Sequence, residues 1–175
     1  MRADTLLYFY NFYNISCLLM YVKIFFWLKY KKNQEAYMKY IITTDSNCDL
    51  PEAFYKDNNI PVLPICYYMD GVIYGKKNTL PLSEFYNRMR NGESAKTAAP
   101  NIAETKAFFE DCIKVCKNII HIAFSSGLSS TCQNAVIASK EIQDEYKDVK
   151  ITVIDSLCSC MGEGMLLYKA ISKKK

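Results

Sequence analysis

The chain has 175 residues, 50% of them hydrophobic, with 22 basic against 18 acidic side chains and a formal net charge of +4. That length provides for one substantial hydrophobic core and is short for two full domains. The basic surplus sits at the ends, Lys29, Lys31 and Lys32 near the start and Lys173 to Lys175 at the finish, which argues against a basic nucleic-acid-binding face and leaves no nucleic acid among the expected partners.

Residues 1–37 differ sharply in composition from the remainder of the chain. Leu6 to Leu28 is packed with Leu, Ile, Phe and Tyr and is long enough to span a bilayer, with the lysines after it on the cytoplasmic side by the positive-inside rule. Asn11, Asn14 and Lys23 interrupt the run, and no small-residue cleavage site accompanies it. Three origins are open: a start assigned upstream of the true one, a membrane anchor through residues 6–28, and a soluble extension. The first is the expectation, because Met38 is followed at once by Lys39 and a strand-like run, and translated AT-rich sequence gives this mixture of residues.

From Tyr40 onward, short β-branched runs alternate with amphipathic stretches, the pattern of an α/β fold whose mostly parallel sheet is joined by crossover helices. Strands are expected over Tyr40–Thr44, Ile60–Met69, Lys117–Ala123 and Lys150–Ile154. Asp70-Gly71 between apolar runs predicts an antiparallel hairpin into Val72-Ile73-Tyr74, because both turn residues tolerate positive φ. Helices are expected over Pro51–Asp57, over Ser83–Arg90 with Ser83 as its cap, over Ile102–Cys116, over Ser130–Tyr146, and from about Gly164 to Lys173. The last has no closing cap or turn, so residues 38–175 are expected to be a domain that stops in mid-pattern.

The eight cysteines are irregularly spread, and the close pairs Cys112/Cys116 and Cys158/Cys160 do not repeat a zinc-knuckle spacing. With His121 as the sole histidine, reduced thiols are expected and neither a metal nor a cofactor is. His121 lies inside an apolar strand and reads as a core residue, which leaves a serine nucleophile without an evident base.

In a parallel sheet, ligands bind beyond the carboxyl ends of the strands, where loops feed helix N-termini. Four hydroxyl- and Asx-rich loops are candidates: Thr43 to Pro51, Lys96 to Asn101, Ser125 to Thr131, and Asp155 to Ser159. Each can be explained by helix capping and turns alone. Together they can also form a neutral cradle for a carboxylate or phosphate, built from free N–H groups and hydroxyls. Ser125 to Thr131 fits this best, with Ser125, Ser126, Ser129 and Ser130 ahead of the helix and Gly127 allowing close backbone approach; it lacks the lysine of a nucleotide-binding P-loop. Asp45-Ser46 and Asp155-Ser156 each close a strand, either as caps or as paired carboxylates.

In order and spacing, Thr44-Asp45-Ser46-x-x-Asp49-Leu50-Pro51, Lys96-Thr97-x-x-Pro100, Ser125-Ser126-Gly127-Leu128-Ser129-x-Thr131 and Asp155-Ser156 resemble the DegV family. The resemblance implies a cytoplasmic bacterial protein, or a membrane-anchored one if residues 6–28 are an anchor, that holds a long-chain fatty acid in a buried tunnel. It implies no catalysis by the chain itself; a fatty-acid kinase catalytic subunit would act on the bound carboxylate. On the family pattern, Thr97 and Ser129 contact that carboxylate. The chain departs from the familiar Thr-Ser-Gln-Pro-Ser loop with Thr97-Ala98-Ala99-Pro100-Asn101, and has Ser130 for a usual glycine and Cys132 for a usual tyrosine. Family members continue into a second domain that completes the tunnel, so this chain alone is expected to bind lipid weakly. A serine-loop transfer enzyme and a non-functional gene fragment are the alternatives.

Overall fold

The structure, a computed structural model, describes residues 40–75 and 78–174. The N-terminal extension, with its proposed anchor over residues 6–28, lies outside the described residues, and no helix among the described residues is long and apolar enough to cross a membrane.

Four parallel strands make the main sheet: β1 (Ile41–Asp45), β2 (Val62–Leu63), β6 (Asn118–Ala123) and β7 (Lys150–Asp155), in the order β2-β1-β6-β7. A separate antiparallel sheet, ordered β4-β3-β5, is formed by β3 (Cys66–Met69), β4 (Val72–Tyr74) and β5 (Lys96–Ala98). The helices are α1 (Glu52–Asp57), α2 (Leu82–Arg90), α3 (Ile102–Val115), α4 (Thr131–Glu145) and α5 (Met161–Lys174).

β1 is buried along its whole length, and its successive side chains point to opposite faces. Ile41 joins Phe109, Ile119, Ile142 and Ile151 in the core beneath α3 and α4. Ile42 joins Ile122, Leu167 and Ile171 in the core beneath α5. β1 is therefore buried throughout instead of alternating with exposed positions, as a strand in a sheet covered on both faces requires, and it carries Thr43, Thr44 and Asp45 into the interior. A fully buried Phe109 or Ile142 contributes roughly 1.5–3 kcal/mol relative to exposure, and both are fully buried.

Three local expectations change. The run Ile60–Met69 is two strands in different sheets, divided at Pro64 and Ile65; proline has no N–H to give a ladder, and the Ile65 N–H instead donates to Ser46 Oγ at 2.9 Å. Ser83 is not a cap: α2 begins after Pro81, whose φ of −55° suits a helix start. The last helix starts at Met161, ahead of Gly164. The Asp70-Gly71 turn has φ of 46° and 79° and joins β3 to β4 as the dipeptide predicts.

Candidate functional site

Because β1, β6 and β7 run parallel, the loops that follow them emerge along one edge of the sheet, with that of β6 in the middle. Asp45 and Asp155 stand on β1 and β7, the strands either side of β6, and grip this middle loop from both sides. The Asp45 carboxylate accepts from Phe124 N at 2.7 Å and Asn47 N at 3.0 Å. Asp155 Oδ1 accepts from Ser126 N at 3.1 Å and Leu157 N at 3.0 Å. Burial raises the Asp45 pKa, and the two N–H donors counter it; hydrogen bonds from Ser126 and Leu157 hold that of Asp155 below the ordinary carboxylate range. Asp45 also caps the 3-10 turn Ser46–Cys48. These are anchoring duties, and they account for both carboxylates without an acid–base pair.

The other candidate donors divide into those the fold uses and those it leaves over. Ser46 receives Ile65 N, and Ser125 Oγ receives Gly127 N at 3.2 Å. Ser125 N and Ser156 Oγ both donate to Cys158 O at 3.1 Å, lacing the third loop to the fourth. Much of the cradle of free N–H groups expected in the third loop is thus spent on Asp45, Asp155 and Ser125. Gly127 has no positive φ, and a Cβ built there would meet only Ser125 Oγ at 3.5 Å, so no packing among the described residues demands a glycine. Ser130 occupies the N-cap position in a helical conformation, and its side chain makes no capping bond.

Ser129 takes over that role. Its half-buried Oγ accepts from Thr131 N at 3.2 Å and lies 2.8 Å from Thr131 Oγ1. It stands at the N-terminus of α4, whose first N–H groups have no acceptors within the helix. Thr97 is not at a helix start: it is exposed on β5, opposite Tyr67. The start of α3 is made by Asn101, which accepts from Glu104 N at 2.8 Å while Glu104 Oε2 accepts from Asn101 N at 3.0 Å. The segment carrying Thr97 is nevertheless tied to the serine loop. Asn134 Nδ2 donates to Pro100 O at 2.8 Å, and Asn134 N donates to Ser130 O at 2.9 Å. Asn134 escapes a reading of the sequence because an Asn one turn into a helix carries no signal of its tertiary partner.

Behind the edge lies a polar cluster that the sequence also conceals. Glu163 is fully buried, its Oε1 3.0 Å from Thr44 Oγ1, which is itself 2.8 Å from Cys48 Sγ. Glu163 Oε2 has no hydrogen-bond partner. Burial, reinforced by the Asp45 carboxylate, pushes the Glu163 pKa up to about 7. Gly164 lets α5 come close enough for this contact: a Cβ there would stand 2.4 Å from Cys48 O. The Gly-Glu-Gly run at residues 162–164 is the one signal of it in the sequence. His121 is fully buried and hydrogen-bonded through Nδ1 to Thr43 Oγ1 at 2.9 Å, with Phe108 and Phe109 edge-on to its ring. Burial lowers its pKa to about 3, so the imidazole is neutral. Among the described residues, no group of three or more His, Cys, Asp or Glu could hold a metal ion.

A parallel sheet covered on both faces, with hydroxyl-rich loops along its carboxyl edge, defines an α/β domain of the doubly wound kind with a largely neutral candidate site. The chain belongs to the DegV family: residues 39–173 match the family model described as "Uncharacterised protein, DegV family". It is 34% identical over 139 residues to a DegV domain-containing protein of Clostridium perfringens, covering 78% of this chain and 48% of that one. A DegV domain-containing protein of Staphylococcus aureus is 37% identical over 137 residues, covering 78% and 47%. Among solved structures, DegV of Bacillus subtilis, a fatty acid binding protein, superposes with a TM-score of 0.65 at 27% identity, covering 76% of this chain and 46% of that one. The chain spans about half the length of the curated relatives it matches. The family resemblance carried by the four loops is thereby established, and so is the α/β fold with its added antiparallel strands.

Proposed function

We propose that the carboxyl edge of the main sheet holds the carboxylate of a long-chain fatty acid, with Ser129 and Thr97 as its hydroxyl donors. In this reading the chain is a cytoplasmic, non-catalytic carrier that presents the bound acid to a separate kinase. The observation that carries it is the half-buried Ser129 hydroxyl at the N-terminus of α4, in a family whose Bacillus subtilis member binds fatty acid. Donors of this kind suit an anion that must be released to a second protein, since hydroxyls and helix N–H groups bind carboxylate without a fixed ion pair. The state of His121 supports a carrier over an enzyme, because the imidazole is fully buried and neutral, its Nδ1 is bonded to Thr43, and no hydrogen bond joins it to Ser129 among the described residues.

Titrating the isotope-labelled chain with sodium decanoate and then with longer acids, by amide NMR, tests the site. Shifts are expected at Thr97, Ser129 and the first turn of α4. Ser129→Ala is expected to weaken binding by about tenfold or more, the loss of one hydrogen bond to a charged group. Shifts confined to other surfaces, or an unchanged affinity in Ser129→Ala, would refute the assignment. Acyl phosphate formed from ATP by the chain alone, and abolished by the same substitution, would instead establish the serine loop as catalytic.

A further inference from the structure

Thr131 is fully buried, and among the described residues the hydrogen-bond partner of its hydroxyl is Ser129 Oγ, at 2.8 Å. A threonine at a helix start commonly turns its hydroxyl to a carbonyl of the preceding turn; this one faces the serine. The proton between the two oxygens can belong to either. If Ser129 gave it, the buried Thr131 hydroxyl would be left with a proton and no acceptor, the costly arrangement for a buried donor. If Thr131 gives it, the buried hydroxyl has its acceptor. Ser129 Oγ then accepts from both the N–H and the O–H of Thr131, which fills its two lone pairs. Its own proton is left free on the half-buried side of the loop.

We infer that Thr131 is a positioning residue that commits Ser129 to act as a donor and so makes the site selective for an acceptor-only headgroup, an anionic carboxylate over an alcohol. The inference rests on the reading of Ser129 as a contact of that carboxylate. A hydroxyl that already accepts twice is polarised toward donation and is held in one of its three staggered orientations. Thr131 does this from inside the fold, without touching the ligand.

Thr131→Val keeps the side-chain volume and the N–H, removes only the hydroxyl, and supplies the test. Binding of decanoate, followed by amide NMR, is expected to weaken by about threefold, as the freed Ser129 hydroxyl spreads over three orientations. Binding of decan-1-ol should not change, Thr131→Ser should restore decanoate affinity, and Thr131→Val should add no loss in a Ser129→Ala background. Unchanged or tighter decanoate binding would overturn the inference, tighter binding being the signature of a Ser129 that donates inward. An equal loss for acid and alcohol, or the same loss in the Ser129→Ala background, would also overturn it by showing a structural role alone. A neutron structure of the ligand-free protein reads the orientation directly: a deuteron on Thr131 Oγ1 directed at Ser129 upholds it, and one on Ser129 directed at Thr131 overturns it. Failure of the unsubstituted chain to bind decanoate would defeat the carboxylate reading alone, and the neutron map would then decide the orientation.

Discussion

The carboxylate of Glu163 lies 3.0 Å from the hydroxyl of Thr44, 119 positions earlier in the chain, and both side chains are fully buried. This contact fastens the first turn of α5 to the end of the central strand β1. It also sets a titration inside the fold. Folding favours the neutral acid, because burial lifts the Glu163 pKa from its ordinary 4.5 to about 7. The stability conferred by the neutral form is complete below pH 4.5 and is lost as the pH rises through 7. A shift of that size corresponds to about 3 kcal/mol. Glu163→Gln, which keeps an oxygen for Thr44 and cannot ionise, should flatten the dependence of the unfolding free energy between pH 5 and pH 8, measured by urea denaturation. An unchanged slope would show that another group titrates there.

Gly164 makes a sharper steric prediction. A Cβ at this position would lie 2.4 Å from Cys48 O, a backbone atom with little room to yield. Gly164→Ala should destabilise the fold by about 2 kcal/mol, as overpacking of a tight contact does. At Gly162 the nearest atom is Cys158 Cβ, at 3.0 Å in a less confined loop, so Gly162→Ala should cost less. Denaturation midpoints of the two variants test the ranking.

Asp45 and Asp155 should be separable by amide hydrogen exchange. Asp45→Asn weakens the acceptor for Phe124 N at a buried position, and a loss of roughly 1–3 kcal/mol of global stability is expected. Asp155→Asn acts at a half-buried residue whose hydrogen bonds are exposed, and faster exchange at Ser126 and Leu157 is expected with little global effect. Equal global losses would argue against this division of labour.

Asn134 joins the two halves of the proposed site, because its side chain holds Pro100 O while its helix follows Ser129. Asn134→Ala should weaken decanoate binding severalfold, and after it Thr97→Ala should cost little more. A double-mutant cycle by NMR titration reads this coupling, and strict additivity would show that Thr97 does not depend on the tie.

Much of the fold can be read from residue pattern. The β-branched runs of β1, β6 and β7, the Asp70-Gly71 turn and the stripe Phe109, Cys112, Ile113 follow from local periodicity, and each element forms where that pattern falls. The serine loop too is visible, since its hydroxyls precede a helix. What the pattern hides is decided at long range. Lys96 to Ala98 carries no strand signal and becomes a strand by pairing with β3, which moves Thr97 from a helix start to a sheet edge. Glu163 reads as a solvent-facing charge until Thr44 and Cys48 arrive from the far end of the sequence. One hidden feature is local: spacing alone says nothing of the direction of the proton shared by Ser129 and Thr131.

Asp45 holds Asn47, its near neighbour, with one oxygen and Phe124, 79 positions away, with the other. The loop bearing Ser129 is therefore not a locally determined motif that would keep its shape in a peptide. Its order is shared with the pairing of β1 and β6, so a fluctuation that parts those strands also releases the loop. Hydrogen exchange at Phe124 should then report opening of the central sheet, and any ligand held by Ser129 would slow exchange in β1 although no atom of that strand need touch it.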